Sequence, residues 1–313
     1  MSGYKIEAIA GAQRTYLGEG PHWNAQKNEL LYVDIFGKAV HRYVPSTGEN
    51  AKVTVDAGPV SLVVPVEGQP NKYLITVERD VQVMEWDGVS AKPTSLKRLY
   101  TVDDHCKTNR INDGKCDASG RLWAGTMGYE PAPGQLDPKK GTLYSFGLDG
   151  SVVKHADQID IANGLAWTSD NSIFYYIDSF SYRVDAFDFD ITSGVLSNRR
   201  TAFDFKANGV DGIPDGMTID ANGNLWVAVF AGKKVVHIDP KVGKKIGQLD
   251  FPTTNITSVT FGGPNLDILY ATCAEHFLSK EDLASQTTAG SVFQVLNVGA
   301  RGLAPGFNYK GPV

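Results

Sequence analysis

The sequence predicts an all-β protein, a six-bladed β-propeller, and three observations carry that prediction. Helical periodicity is scarce, while short apolar or aromatic runs recur between Gly, Asp, Asn and Pro clusters, which is the pattern of many short strands. One phrase repeats: a turn, a Leu-aromatic run, a few residues, a second strand and another turn. The repeat returns at intervals of 42, 51, 51, 52 and 43 residues, and a period of about 40–50 residues with about four strands per unit means blades arranged around a channel. A β-sandwich would give turn signals without such a recurring phrase.

In chain order, the first unit reads NELLYVDIFGKAVHRYVPSTGE from Asn28 and the second, a weaker copy, KYLITVERDVQVMEWDG from Lys72. GRLWAGTM from Gly120 opens the third, which resumes at GTLYSFGLDG after an interruption. The fourth is NSIFYYIDSFSYRVDAFDFDITSG from Asn171, and the fifth is GNLWVAVFAGKKVVHIDPKVGK from Gly223. LDILYATCAEH from Leu266 begins the sixth, which resumes at GSVFQVLNV. Six such units account for residues 1–313 as a single domain, and an early N-terminal strand is expected to close the ring in the last blade. The interruptions, Tyr129 to Lys140 and Phe277 to Thr288, read either as solvated surface loops or as lids over the channel mouth.

Composition narrows the function. The chain has 30 basic and 35 acidic residues, a net charge of −5, and no Walker or dinucleotide glycine pattern. Neither nucleic acid nor a polyanion is therefore an expected partner. Three Cys (Cys106, Cys116, Cys273) without CxxC or Cys/His spacing argue against a disulfide framework or a thiolate zinc site. The N-terminal stretch lacks the apolar core of a signal peptide, and no window approaches a membrane span. We expect a cytoplasmic protein without membrane attachment. Propellers have few free edges, so a monomer is expected as well.

The inner strand of each blade begins near the channel, so equivalent repeat positions converge on the axis. These positions are Glu19, Ser61, Asn112, Asn163, Asp215 and Ser258. Packing alone favours apolar or small residues there, yet four of the six are larger oxygen donors. Two carboxylates and two amide carbonyls suit a hard divalent cation. Asn-Gly, Asp-Gly and Glu-Gly are also ordinary turn dipeptides, and only their convergence argues for a site. Strand alternation sends Arg110 and Asn112 to one face, where the guanidinium could hold a substrate oxygen or simply form a surface salt bridge. Asp34, Asp178 and Asp239 are read as turn-stabilising residues. Trp23, Trp123, Trp167 and Trp226 are read as core between blades. No GxSxG elbow occurs, and no Ser lies beside an identifiable His/Asp pair.

GEGPHW at Gly18, NRINDGKCD at Asn109, GTM at Gly125, NGLAW at Asn163, YYIDS at Tyr175, IPDGMTIDANGNLWVA at Ile213 and FGGPNLD at Phe261 resemble the regucalcin (senescence marker protein) and gluconolactonase family. WDGVSAKPTS at Trp86 and FGGPNLD look like its insect branch, which includes luciferin-regenerating enzyme. YYIDSFSYRVDAFDFD and SNRR look equally like animal regucalcin. The resemblance implies one divalent metal ion in the central channel, held by Glu19, Asn163 and Asp215. Calcium ranks first, with zinc, manganese and magnesium as alternatives. It implies substrate contacts from Arg110, Asn112 and Glu130, the last resting on the interrupted loop. The expected activity is metal-dependent hydrolysis of a small-molecule lactone such as gluconolactone, with Asp215 orienting or deprotonating the attacking water. The alternatives are luciferin-regenerating or organophosphate hydrolysis at the same metal site, and a non-catalytic calcium-binding regulator.

Overall fold

The computed structural model describes residues 3–132, 135–304 and 306–313. Met1, Ser2, Pro133, Gly134 and Pro305 fall within the N-terminal stretch, the first interrupted loop and the expected single-domain span, and they lie outside the described residues. Among the described residues the strands form six four-stranded antiparallel sheets, a six-bladed propeller. In blades one to five the strands follow chain order from the axis outward, as in Gly18–Asn24, Glu29–Asp34, Ala39–Val44 and Glu49–Thr54 of blade one. Blade six is completed from the other end of the chain, where Lys5–Ala8 pairs outside Phe293–Leu296. The expected N-terminal closure is therefore present.

The innermost strands are Gly18–Asn24, Val60–Val66, Arg110–Cys116, Ala162–Trp167, Ile213–Ile219 and Ile256–Gly262. Each packs against the next around the ring, and the sixth packs against the first. Inner and second strands are covered on both faces, which is why Glu29–Asp34 (ELLYVD) is buried throughout and reads as a run. Outer strands such as Ser95–Thr101 face solvent and read as mostly polar.

The core is a set of layers between blades. Val33, Val40 and Val53 of blade one meet Val63, Ile75 and Met84 of blade two. Comparable clusters join each later pair of neighbours, and Trp23 with Tyr32 meets Tyr270 where blade six reaches blade one. The four predicted tryptophans belong to these layers. Trp23 stacks on Tyr270 at 5.7 Å between ring centroids, Trp123 meets Trp167, and Trp226 meets Phe261 edge-on. Burying such rings supplies the largest apolar contribution per residue.

The two ends of the channel are built differently. The C-terminal segment crosses the end where inner strands finish: Gly302 bridges to Asp220, Tyr309 bridges to Val66, and the Lys310 amide donates to the Gly120 carbonyl. The opposite end, where inner strands begin, opens into a cavity.

Candidate active site

Each inner strand loses register with its neighbour near its start. The shifts fall between Glu19 and His22, Val60 and Val63, Ile111 and Asp113, Asn163 and Leu165, Pro214 and Met217, and Ile256 and Ser258. Such bulges bend the strand and re-aim side chains, here toward the axis. The adjacent glycines are part of this device. Gly20 has φ +52°, a left-handed conformation in which a Cβ is strained. At Gly216 a Cβ would collide with the Ser258 side chain of the next blade. Glu-Gly and Asp-Gly are thus bulges inside strands rather than turns.

The cavity at this end has a volume of about 840 Å³. Glu19, Asn112, Asn163 and Asp215 line it, together with Arg110 and Glu130. The structure therefore gathers every predicted site residue in one place. Ser61 and Ser258 are not among the lining residues; the Ser61 hydroxyl turns aside to donate to the Ile111 carbonyl at 2.7 Å.

A chain of hydrogen bonds orients the polar groups. Arg110 Nη1 donates to Asn112 Oδ1 at 2.6 Å, so these two side chains share a face as strand alternation predicts. Asn112 Nδ2 donates to the Ala162 carbonyl at 2.8 Å and to Asn163 Oδ1 at 3.2 Å. Asn163 Nδ2 donates to Ser179 Oγ at 2.8 Å, and that hydroxyl in turn donates to the Pro214 carbonyl at 2.7 Å. Ser179 thereby fixes which end of the Asn163 amide is its oxygen end.

The electrostatics set this site apart. Burial raises the Glu19 carboxyl above the usual carboxylate range, and Asp113 raises it further. Asp215 is pushed well up by burial, then by Glu19 and Asp113. Asp113 is itself raised by burial, although Lys115 and the Gly114 amide pull it down. Beneath them Lys115 Nζ donates to the Leu165 and Met217 carbonyls at 3.1 and 2.8 Å. Arg110 is lowered to about 10 by burial, with the carboxylates opposing that shift, and stays charged at neutral pH.

This donor set fits a hard divalent cation. Buried like-charged carboxylates repel one another, and a cation between them relieves both the repulsion and the desolvation. Among the described residues no group of three or more His, Cys, Asp and Glu is arranged to hold a metal ion. Any such ion would therefore also need amide oxygens, and the oriented Asn163 is the candidate.

Sequence reasoning singled out neither Asp113 nor Ser179. Asp113 stood beside a residue that matched the repeat, and Ser179 follows the second strand of blade four, outside the repeat positions compared. His276, from blade six, lines the cavity with its ring 5.0 Å from Phe36 and 3.6 Å from Phe277 between centroids. Burial, then Arg110, lowers its imidazole to about 4. The two interruptions reach the mouth: Tyr129 and Glu130 come from the first, and Phe277, Leu278 and Asp282 from the second. Asp282 sits in the short helix Lys280–Ser285, capped by Ser279. Asp239 and Asp34 stabilise their own turns through the Lys241 and Gly37 amides as expected, whereas Asp178 instead accepts the distant Asp160 and Ile161 amides, and Asp34 also accepts those of Tyr16 and Leu17.

Residues 17–275 match the SMP-30/gluconolactonase/LRE-like region. Human (Homo sapiens) regucalcin is 43% identical over 311 residues, covering 99% of this chain and 100% of that protein. A solved luciferin-regenerating enzyme superposes with a TM-score of 0.93 at 41% identity, over 98% of this chain and 100% of that one. A calcium-binding protein, regucalcin, from Agrobacterium tumefaciens shares the fold, with a TM-score of 0.86 at 22% identity over 98% and 97% of the two chains.

Proposed function

Since the chain belongs to the SMP-30/gluconolactonase/LRE-like family, we propose that it is a divalent-cation-dependent lactonase opening sugar lactones such as gluconolactone. The observation that carries this reading is the pair of buried carboxylates, Glu19 and Asp215, beside an oriented Asn163 oxygen at the floor of an open cavity.

Glu19, Asn163 and Asp215 would hold the cation, calcium first, with zinc, manganese and magnesium as alternatives. When bound, the cation would supply Lewis-acid polarisation of the lactone carbonyl and make a water molecule more acidic. Asp215 orients the attacking water and takes its proton as general base. Water oxygen bonds to the carbonyl carbon, the ring C–O bond breaks, and the proton ends on the departing ring oxygen, giving the hydroxy acid. Arg110, Asn112 and Glu130 grip substrate oxygens, with Arg110 placed by its bond to Asn112. The site draws on blades one, three, four and five, so residues 1–313 act as one domain. We infer a cytoplasmic, monomeric setting, in keeping with free cysteines at 106, 116 and 273.

The test is gluconolactone hydrolysis by metal-stripped protein, repeated with calcium, zinc, manganese and magnesium and with Glu19→Gln alongside. Activity restored by a cation in the parent protein and not in the variant supports the reading. The all-oxygen donor set also favours a second reading, a calcium-binding regulator. Tight calcium binding without hydrolysis under any cation would select it.

A further inference from the structure

The floor of the cavity is polar and its mouth is aromatic. The mouth is built where the second strand of each blade ends and by the loop that follows it. Blade one places Phe36 there, blade three Tyr129, blade four Phe180, blade five Phe230 and blade six Phe277, all of them lining the cavity. Blade two places Glu78 at the same level. None of the five rings is buried; Phe36 is 39% exposed and Tyr129 56%, and the other three are half-buried.

Phe230 also packs on the core layer between blades one and two, but folding alone does not account for Phe36 and Tyr129 standing exposed, and Phe180 and Phe277 half-buried, around the same mouth. The aromatics of the inter-blade layers are buried by contrast, and Trp23, Trp123, Trp226 and Tyr270 are almost fully so. Exposed apolar surface gathered in one concavity and edged by polar groups marks a ligand site. Two further observations tie the rings to the floor. The Arg110 guanidinium lies 5.7 Å from the centre of the Phe36 ring, and Phe36 packs on His276, which packs on Phe277. Size is the other argument. Cavities of about 300–1,000 Å³ enclose drug-sized ligands, and this one, at about 840 Å³, is far larger than a monocyclic sugar lactone requires.

We infer that the ligand of this site is amphipathic: a lactone whose ring seats on the polar floor and which carries an alkyl or aryl substituent held by a collar of Phe36, Tyr129, Phe180, Phe230 and Phe277. The lactone half of this statement rests on the reading given above; the collar does not. Each methylene moved from water onto the collar adds transition-state binding until the collar is filled.

The experiment uses the full chain with added calcium and two probe series. In the first, kcat/KM is measured for δ-valerolactones carrying 5-alkyl chains from methyl to octyl, with gluconolactone as reference. In the second, Kd is measured by calorimetry for the matching δ-lactams, which bind without ready hydrolysis. The expected result is a rise of about threefold to fourfold per methylene in both series, the fold-change equivalent to roughly 0.8 kcal/mol per buried CH₂, levelling at longer chains. Phe36→Ser and Phe180→Ser should each flatten that slope, read as the octyl-to-methyl ratio; both rings lie outside the core layers. Gluconolactone turnover with no rise in either series overturns the collar and leaves the lactonase reading standing. Lactam affinity that rises with chain length, while no lactone is opened under any cation, supports the collar and removes the lactonase reading.

Discussion

Asp215 lies near the start of one inner strand and Asp220 just past its end, and both are buried. At the closed end, Asp220 Oδ2 accepts from Trp226 Nε1 at 3.0 Å and pairs with His237 Nε2 at 3.1 Å, while Oδ1 takes the Asn222 and Asn224 amides. Burial alone would raise its pKa, yet the donors outweigh burial and it is lowered. Asp117 forms the same bracket in blade three, with Trp123 and Arg121. At the open end Asp215 has the Gly216 amide and a distant Arg110 to set against burial and two carboxylate neighbours, and it is raised. A carboxylate that folding needs comes with its donors, and one left short of them is held ready for something the protein must bind.

The strongest way to break this contrast is Asp215→Asn. We expect kcat/KM for lactone opening to fall at least about 1,000-fold, beyond the 10–100-fold loss typical of groups acting behind the ligands. The same variant without metal should melt no lower than the parent protein, because it removes a carboxyl whose charged form burial, Glu19 and Asp113 all disfavour. A clear fall in metal-free Tm would show that Asp215 is structural after all.

Asp220→Ala should behave oppositely. It strands the Trp226 indole, the His237 ring and two backbone amides, and losing a buried charged partner of this kind costs about 3 kcal/mol. Thermal melting should show Tm lower by several degrees, with kcat per folded molecule retained. Loss of activity without loss of stability would contradict the assignment.

Ser179→Ala sharpens the comparison from the open end. Freed from its anchor, the Asn163 amide can present nitrogen where oxygen is needed, so cation affinity should fall about 10–100-fold. Calorimetric titration of metal-stripped protein with calcium reads this directly, and an unchanged Kd would rule out the positioning role.

The last contrast concerns pH. Burial lowers His22 to about 3 and His41 to about 4, whereas an unfolded histidine titrates near 6.5. From about pH 6.5 down to about 4 for His41 and about 3 for His22 the unfolded chain binds more protons, so stability is complete above that window and falls within it. The slope approaches roughly 1.4 kcal/mol per pH unit for each histidine. His41→Phe, whose ring would keep the stack on Tyr32, should lessen the dependence of Tm on pH between 7 and 5. An identical slope would mean that His41 is not held neutral.

The blade count, the closing N-terminal strand and the inter-blade tryptophans were legible in the chain, because each blade repeats one local pattern of strand and turn. Glu19, Asn112, Asn163 and Asp215 were legible for the same reason, since a repeat position occupied by an oxygen donor stands out against its small or apolar equivalents. That their glycines build bulges rather than turns was not legible, because a dipeptide does not say whether a strand continues through it.

The sequence by itself determined a ring of six four-stranded units with oxygen donors at the start of several inner strands, since strand periodicity and repeat spacing are local properties. Only the tertiary structure decided that Ser61 turns aside, that Asp113 joins Glu19 and Asp215, that Ser179 orients Asn163, and that five aromatics from four loops and one strand end gather around one mouth. The physical reason is ring closure: it brings together residues far apart in the chain, and burial with or without donors then separates Asp215 from Asp220, two aspartates that the sequence writes alike.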